Sequence, residues 1–463
     1  MTRKKPLHLF HLPAFALLLA PLFLFLSGCE DQGGLSPELK LRIDDIVECE
    51  MLEKQVPGIS ITVVRNGKAL YRRGYGKADI GAGTDVRPET KFALGSVTKI
   101  FTAIGVLNLY DRGLVDLDEE IGTYLPDLPN EEWKARTVRD LLSMSSGIPE
   151  LSFCESGPKE GEACQDHPQG SPYTFNLCGE GHKCVSANRV PYPEYLERAA
   201  VIPLQFEGGS KYFYSNTNFL ILGELIEAVS GESYEDYING LILGPLGMTD
   251  TRPNNVPPPP IEGLAKGYAH VPDGEGSSDC VTLPDPPDDC SSPPPQDVKC
   301  KAIPTDDLRL PEESFSSGWL ISNQIDMPRL EKALHELSAK LLTRETYDIM
   351  WTNRRFNDGS FDRFGLGWDV CSEKNDEFCP KPVDPEAGGG LDGSTLTDAP
   401  GSEGKVVSKD GGIPGYSSGI VRYLDDGISV IVLSNTLESS GPLQFSPIGL
   451  AAEIALVVRE SGE

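Results

Sequence analysis

The sequence predicts an α/β protein whose sheet is assembled from both ends of the chain, with helices filling the middle. Three observations predict it. Apolar residues alternate soon after the N-terminus, they alternate again near the C-terminus across tight turns, and between these stretches they recur at helical spacing.

In chain order, Leu39, Leu41, Ile43, Ile46 and Val47 have a helical pattern. From Pro57 the period changes. Ile59, Ile61 and Val63 alternate, Asn66-Gly67 is a hairpin turn, and Ala69–Tyr75 returns. Residues 97–112, 137–143, 193–201, 217–230 and 233–243 read as helices, and 325–351 as two more. Lys405–Ser408, Gly419–Leu424 and Ile428–Leu433 read as strands, with Asp426-Gly427 as a tight turn, and Ile448–Val458 as a closing helix. The expected layout is a sheet from about 38–95 and 312–463, with a helical part at about 96–311. A Cys-rich stretch, 150–192, and a Pro- and Cys-rich stretch, 252–311, read as long loops. A third, 371–404, holds Cys371, Cys379 and Gly388–Gly390. No internal repeat occurs at a solenoid period.

The 463 residues carry 41 Lys+Arg against 70 Asp+Glu, a formal charge of −29, and are 39% hydrophobic. That composition suits a globular protein and argues against nucleic acid, whose phosphates need a basic face. It also argues against holding anionic lipid by surface charge. Arg3, Lys4 and Lys5 precede an apolar run, Leu7–Leu26, which ends in Leu26-Ser27-Gly28-Cys29. A basic n-region with such a run is an export signal. Its ending resembles a bacterial lipobox, which makes Cys29 the lipidated first residue of the mature protein. The competing reading is an uncleaved transmembrane anchor, which Pro13 and Pro21 weaken. The expectation is therefore a signal peptide at 1–28, a tether at 29–37 and a chain exported and held at a bacterial membrane through lipid on Cys29. Removing residues 1–28, with three basic residues and no acid, takes the charge to −32. With Cys29 set apart, ten of the 11 cysteines remain, an even number suited to disulfides outside the cytoplasm.

Three short motifs carry candidate chemistry. Ser96-Val97-Thr98-Lys99 opens a helical stripe, so Ser96 and Lys99 share a face. An ammonium beside a hydroxyl lowers the cost of an alkoxide, and a neutral amine can take the proton itself. Tyr214-Ser215-Asn216 precedes the 217–230 pattern. A phenol near cations can act as a base, and an amide can position a substrate carbonyl. Lys409-Asp410-Gly411-Gly412 follows the 405–408 strand. It offers a cation for a carboxylate, a glycine beside which substrate can approach, and an amide for an oxyanion.

Two of the motifs have a bland reading: a helix cap with a solvated lysine for the first, and a glycine-rich turn with a surface lysine for the third. Decoys are present too. Ser156/Lys159 and Ser402/Lys405 repeat S-x-x-K in loops, and Tyr237/Asn239 repeats Tyr-x-Asn inside a helical pattern. Gly415-Tyr416-Ser417-Ser418-Gly419 matches a nucleophile elbow but runs into a strand pattern rather than a helix. The Cys164/His167 and Cys178/His182/Cys184 spacings suit metal, yet disulfides are the better reading in an exported chain. No metal and no cofactor is expected.

Together and in this order, the motifs resemble the serine hydrolase family of class C β-lactamases and D-alanyl-D-alanine carboxypeptidases. Phe92–Gly95, Gly113–Asp118, Leu141–Pro149, Leu243–Met248 and Gly411–Ser418 are similar to it as well. The resemblance implies an antiparallel sheet flanked by helices plus an all-α domain, with the active site between them. It implies that Ser96 is acylated, that Lys99 helps activate it and that Tyr214 acts as, or shares, the general base. Asn216 is expected to contact the substrate amide, and Lys409, with Gly411 beside it, to bind its carboxylate. The N–H groups of Ser96 and Gly412 are expected to form the oxyanion hole. The implied substrates are a β-lactam, a D-Ala-D-Ala-type cell-wall peptide or a small ester. The competing expectation is a non-hydrolytic binding or sensing lipoprotein on the same fold. One departure stands out: Asp410 occupies a position where the family has Thr, Ser or another small residue. Turned inward, it would repel a substrate carboxylate and favour neutral esters or amides.

Overall fold

The two ends of the chain meet in one seven-stranded antiparallel sheet. The computed structural model describes residues 34–150, 196–197, 199–253, 261–271, 278–279, 290, 299–302, 315–372, 379, 404–437 and 443–462. Leu35–Glu463 forms one compact unit. The sheet strands are β1 (Gly58–Arg65), β2 (Lys68–Asp79), β3 (Thr84–Asp85), β4 (Asp369–Ser372), β5 (Lys405–Ile413), β6 (Tyr416–Tyr423) and β7 (Ile428–Ser434). Their order is β4-β5-β6-β7-β1-β2-β3. The joint between chain ends is β1 on β7, with Ile59 opposite Ser434 and Arg65 opposite Ile428.

Local chemistry explains the hairpins. Asn66 and Gly67 take positive φ, 50° and 72°, the left-handed pair a two-residue turn requires. Gly427, at φ 63°, does the same between β6 and β7. Side-chain alternation then sorts the two faces. Ile59, Ile61, Val63, Val430 and Val432 pack against the terminal helices α1 (Pro37–Lys54) and α6 (Pro447–Ser461), through Ile43, Val47, Leu450 and Ile454. Ile420, Ile431 and Leu433 face the other core, where α2 (Thr98–Asp111) and α4 (Asn216–Ser230) lie. Every residue of α2 from Thr98 to Leu107 is buried, as befits a helix enclosed on all sides. Between them in sequence stands the short α3 (Val138–Leu142), closed by a Thr137/Asp140 capping box. The helix α5 (Met327–His335) follows α4.

Several expectations need correction. The third motif lies within a strand, because β5 continues to Ile413 and pairs with β6 along its length. The 233–243 helix breaks into a short turn of helix at Tyr234–Ile238 and a π-helical turn at Asn239–Leu243, ahead of the Gly244-Pro245 pair. Part of the 252–311 stretch is sheet: Tyr268–Val271, Lys299–Ala302 and Ser278–Asp279 pair as three strands. The elbow decoy does run into a strand, β6. Disulfides join Cys49 to Cys290 and Cys371 to Cys379. The signal and Cys29, the Ser156 and Ser402 decoys, and Cys154, Cys164, Cys178, Cys184 and Cys280 lie outside the described residues. Among the described residues no helix is long and apolar enough to cross a membrane.

Candidate active site

Ser96 stands in a single 3-10 turn, Gly95–Val97, that leads directly into α2. The turn is pinned from both sides. The Leu94 N–H donates to Leu320 O at 2.8 Å, and the Leu320 N–H donates to Thr98 Oγ1 at 3.1 Å. Two glycines let the turn press against β5. Gly95 has φ 51°, and a Cβ there would sit 2.6 Å from Gly412 N. A Cβ on Gly411 would meet Leu94 O at 2.1 Å and Ser96 N at 2.8 Å. Gly411 therefore gives room to the protein's own nucleophile turn, not to substrate as its sequence context suggested. The same packing brings the Gly412 backbone beside Ser96. Ser418, one of the elbow-decoy serines, is spent on this joint: its Oγ donates to Leu94 O at 2.6 Å.

Lys99, in the first turn of α2, is fully buried. Its Nζ donates to Ser96 Oγ at 3.0 Å, to Asn216 Oδ1 at 2.6 Å and to Ser317 O. Tyr214 OH donates to the same Ser96 Oγ at 2.5 Å. Tyr214 and Asn216 reach this place because the segment before them is tied to residues 144–150. Phe213 N–H donates to Met144 O at 2.8 Å, Ser215 Oγ to Pro149 O at 3.2 Å, and Thr217 Oγ1 to Pro149 O at 2.8 Å.

The structure adds a residue absent from the sequence reading. Glu150 is buried, with its Oε1 accepting from Asn216 Nδ2 at 2.8 Å and its Oε2 from Asn216 N at the start of α4. A carboxylate there satisfies a free helix N–H and meets the positive end of the helix dipole. It also fixes the Asn216 amide with its oxygen toward Lys99. Both ends of that amide are engaged within the protein. The family-like run Leu141–Pro149 ends one residue short of Glu150, so its signal was adjacent and unread.

Burial and charge set the proton positions. Desolvation, and then the like charge of Lys409, holds Lys99 well below the ordinary lysine range, while Glu150 and Asp410 pull the other way. Desolvation likewise lifts Glu150, against its bonds from Asn216. Burial raises Tyr214 despite the Lys409 charge and the Ser96 bond, so the phenol keeps its proton. Lys409 lies in β5 and is 2% exposed, with its Nζ 3.3 Å from Asp369 Oδ2 and 3.2 Å from Asp410 Oδ1. Burial alone would neutralise it, but Asp369 and Asp410 outweigh burial and keep it protonated. Asp410 turns toward Lys409 and is felt at Lys99 and Tyr214, so strand alternation does not remove it from the site. The decoy Tyr237 is structural, donating to Asn108 Oδ1 at 2.9 Å. No group of His, Cys, Asp and Glu able to hold a metal occurs among the described residues.

A sequence model of the β-lactamase family matches residues 43–452, nearly the whole described unit. The chain belongs to the β-lactamase family. It is by that membership a serine hydrolase, and its antiparallel sheet and helices are those of the β-lactamase and penicillin-binding protein fold. It is 24% identical to penicillin-binding protein 4* of Bacillus subtilis (strain 168) over 383 residues, 82% of this chain and 68% of that protein. It is 28% identical to protein flp of Staphylococcus aureus (strain MRSA252) over 221 residues, which span 47% of this chain and 39% of that protein. Among solved structures, D-amino acid amidase from Ochrobactrum anthropi SV3, complexed with L-phenylalanine amide, superposes with a TM-score of 0.64 at 19% identity, covering 92% of this chain and 100% of that one. A class C β-lactamase superposes with a TM-score of 0.62 at 18% identity, covering 90% and 96%.

Proposed function

We propose that the chain is an exported, lipid-anchored hydrolase that cleaves an amide or ester through an acyl-enzyme on Ser96. The observation that carries this is the convergence of Lys99 Nζ and Tyr214 OH on one oxygen, Ser96 Oγ, at 3.0 Å and 2.5 Å. With Lys99 uncharged, its two N–H groups serve Asn216 Oδ1 and Ser317 O and its lone pair faces Ser96 Oγ, so Ser96 Oγ attacks the substrate carbonyl as its proton passes to Lys99. The phenol of Tyr214, which holds its proton, donates to the leaving group as the carbonyl re-forms, and the Lys99 ammonium returns the proton taken from Ser96 to the phenolate, since Ser96 Oγ is by then an ester oxygen. The Ser96 and Gly412 N–H groups stabilise the oxyanion. Water then attacks the acyl-enzyme as Lys99 takes its proton, and Lys99 returns that proton to Ser96 Oγ as the ester bond breaks. The base role that the family resemblance gave to Tyr214 therefore passes to Lys99.

The substrate candidates are a β-lactam, a D-Ala-D-Ala-type cell-wall peptide and a small amide or ester. Likeness to a penicillin-binding protein and to a class C β-lactamase supports the first two, and likeness to an amidase supports the third. Export is supported by the basic start, the Leu7–Leu26 run and the two disulfides, and membrane attachment by the Leu26–Cys29 tetrapeptide. The test is intact-mass labelling and turnover of the mature chain with an activated ester and with a fluorescent penicillin. The expected result is a Ser96 adduct and turnover, both lost in Ser96→Ala. Turnover that survives the substitution removes Ser96 as nucleophile, and a chain that keeps its signal and carries no lipid in bacterial membranes removes the anchor.

A further inference from the structure

Lys409 stands on the strand side of the site, and it is already occupied. Asp410 approaches its Nζ at 3.2 Å from the same strand, and Asp369 approaches at 3.3 Å from the neighbouring edge strand β4. Nothing in the sequence motif announces Asp369. It reaches Lys409 because β4 pairs with β5 so that Asp369 stands opposite Ser408, one residue away. Behind Asp369 lies Arg363, whose charge is faced in turn by Asp362. Desolvation lifts the Asp369 carboxyl against the pull of Lys409, whereas at Asp410 Lys409 outweighs desolvation and favours the carboxylate; with both ionised, the trio around Nζ carries one positive and two negative charges. Lys409 is buried and Asp369 largely so, which strengthens their interaction over its value in water, while the Asp410 side chain is 56% exposed and more strongly screened.

From this geometry we propose that Asp369 and Asp410 are specificity-determining residues that convert the Lys409 subsite from a carboxylate receptor into one that rejects anionic substrates and favours cationic ones. The proposal rests on Ser96 hydrolysis and names the substrate class for it: amides or esters with an ammonium or a neutral group, rather than a carboxylate, beside the scissile bond. A carboxylate entering the subsite would have to displace one aspartate from Lys409 and meet the other. An ammonium would instead meet the Asp369 and Asp410 carboxyl groups without having to displace either from Lys409. Lys409 itself is left to tune the protons of Tyr214 and Lys99, whose positions it influences without touching substrate.

The experiment uses phenyl esters carrying a neutral, carboxylate or ammonium substituent, placed first on the leaving group and then on the acyl group. The readout is the ratio of each charged ester's kcat/KM to that of its neutral parent. In the unmodified chain the carboxylate esters are expected to fall below the neutral ones by about 10-fold or more, chiefly through KM, with the ammonium esters at or above parity. Asp369→Asn and Asp410→Asn should each raise the carboxylate-to-neutral ratio by about 10-fold, and added salt should narrow the unmodified chain's discrimination. A carboxylate ester that equals or exceeds its neutral parent overturns the proposal, as does a ratio that neither variant moves. Calorimetric titration of the unmodified chain with benzylammonium and with benzoate keeps the proposal separate from the hydrolysis it rests on. If no ester is turned over, the hydrolase reading fails, and tighter binding of benzylammonium still upholds the charge preference. Tighter binding of benzoate overturns it whatever the esters do.

Discussion

The site has a helix side and a strand side, and each presents one buried lysine. Lys99 on α2 and Lys409 on β5 are 0% and 2% exposed, so both have lost the water that would hold a charge. Their proton affinities nevertheless move in opposite directions. Lys99 touches only neutral oxygens, those of Ser96, Asn216 and Ser317, and its nearest carboxylate, Glu150, acts through the Asn216 amide. Lys409 touches two carboxylates directly. Burial makes a lysine sensitive to its neighbours, and the neighbours decide the sign. The result is one lysine whose charge burial disfavours and, across Ser96, one whose charge its neighbours hold.

The comparison is broken most completely by removing the base. Lys99→Met should reduce acylation of Ser96 by about 1,000-fold or more while the fold persists, measured by stopped-flow labelling with circular dichroism beside it. Next, Gly411→Ala forces a methyl group against Leu94 O and the Ser96 turn, so a loss of about 1–3 kcal/mol and a large fall in activity are expected, read by denaturant melts and turnover. A pair of pH profiles sharpens the comparison. Activity of the unmodified chain falls toward acid as Lys99 gains a proton. Lys409→Met removes a like charge, so Lys99 binds its proton more readily and the acid limb moves to higher pH. Glu150→Gln removes a charge that favours protonated Lys99, so the limb moves to lower pH, with kcat reduced by about 10-fold through a less firmly oriented Asn216. Equal shifts in one direction would contradict the opposed environments. The smallest effect on the site is expected from Cys49→Ser with Cys290→Ser. That pair ties α1, distant from Ser96 in the sequence, and its loss should lower stability by about 2–4 kcal/mol by calorimetry while activity below the melt changes only a few-fold.

Much of this arrangement was legible in the sequence where the signal was local. Alternation and turn pairs such as Asn66-Gly67 marked the hairpin, because left-handed positions and two-residue periods are properties of a few neighbouring residues. Ser96 and Lys99 were legible for the same reason, being one helical turn apart. The break at Asn239–Leu243 and the extension of β5 through the third motif were not, because packing and strand pairing override local pattern there. Glu150 and Asp369 belong to no motif spacing, and the protein partners of Asn216 lie far from it in the chain.

By itself the sequence determined the order of elements, the nucleophile's helix, the three motifs and the departure at Asp410. Only the tertiary structure decided what each charge meets. Asn216 comes to Lys99 across 117 residues, and Ser317 across 218. Tyr214 comes to Ser96 across 118 residues, and Asp369 to Lys409 across 40. Such meetings arise from the burial of whole helices and the pairing of strands, and a proton's position depends on the few ångströms they settle.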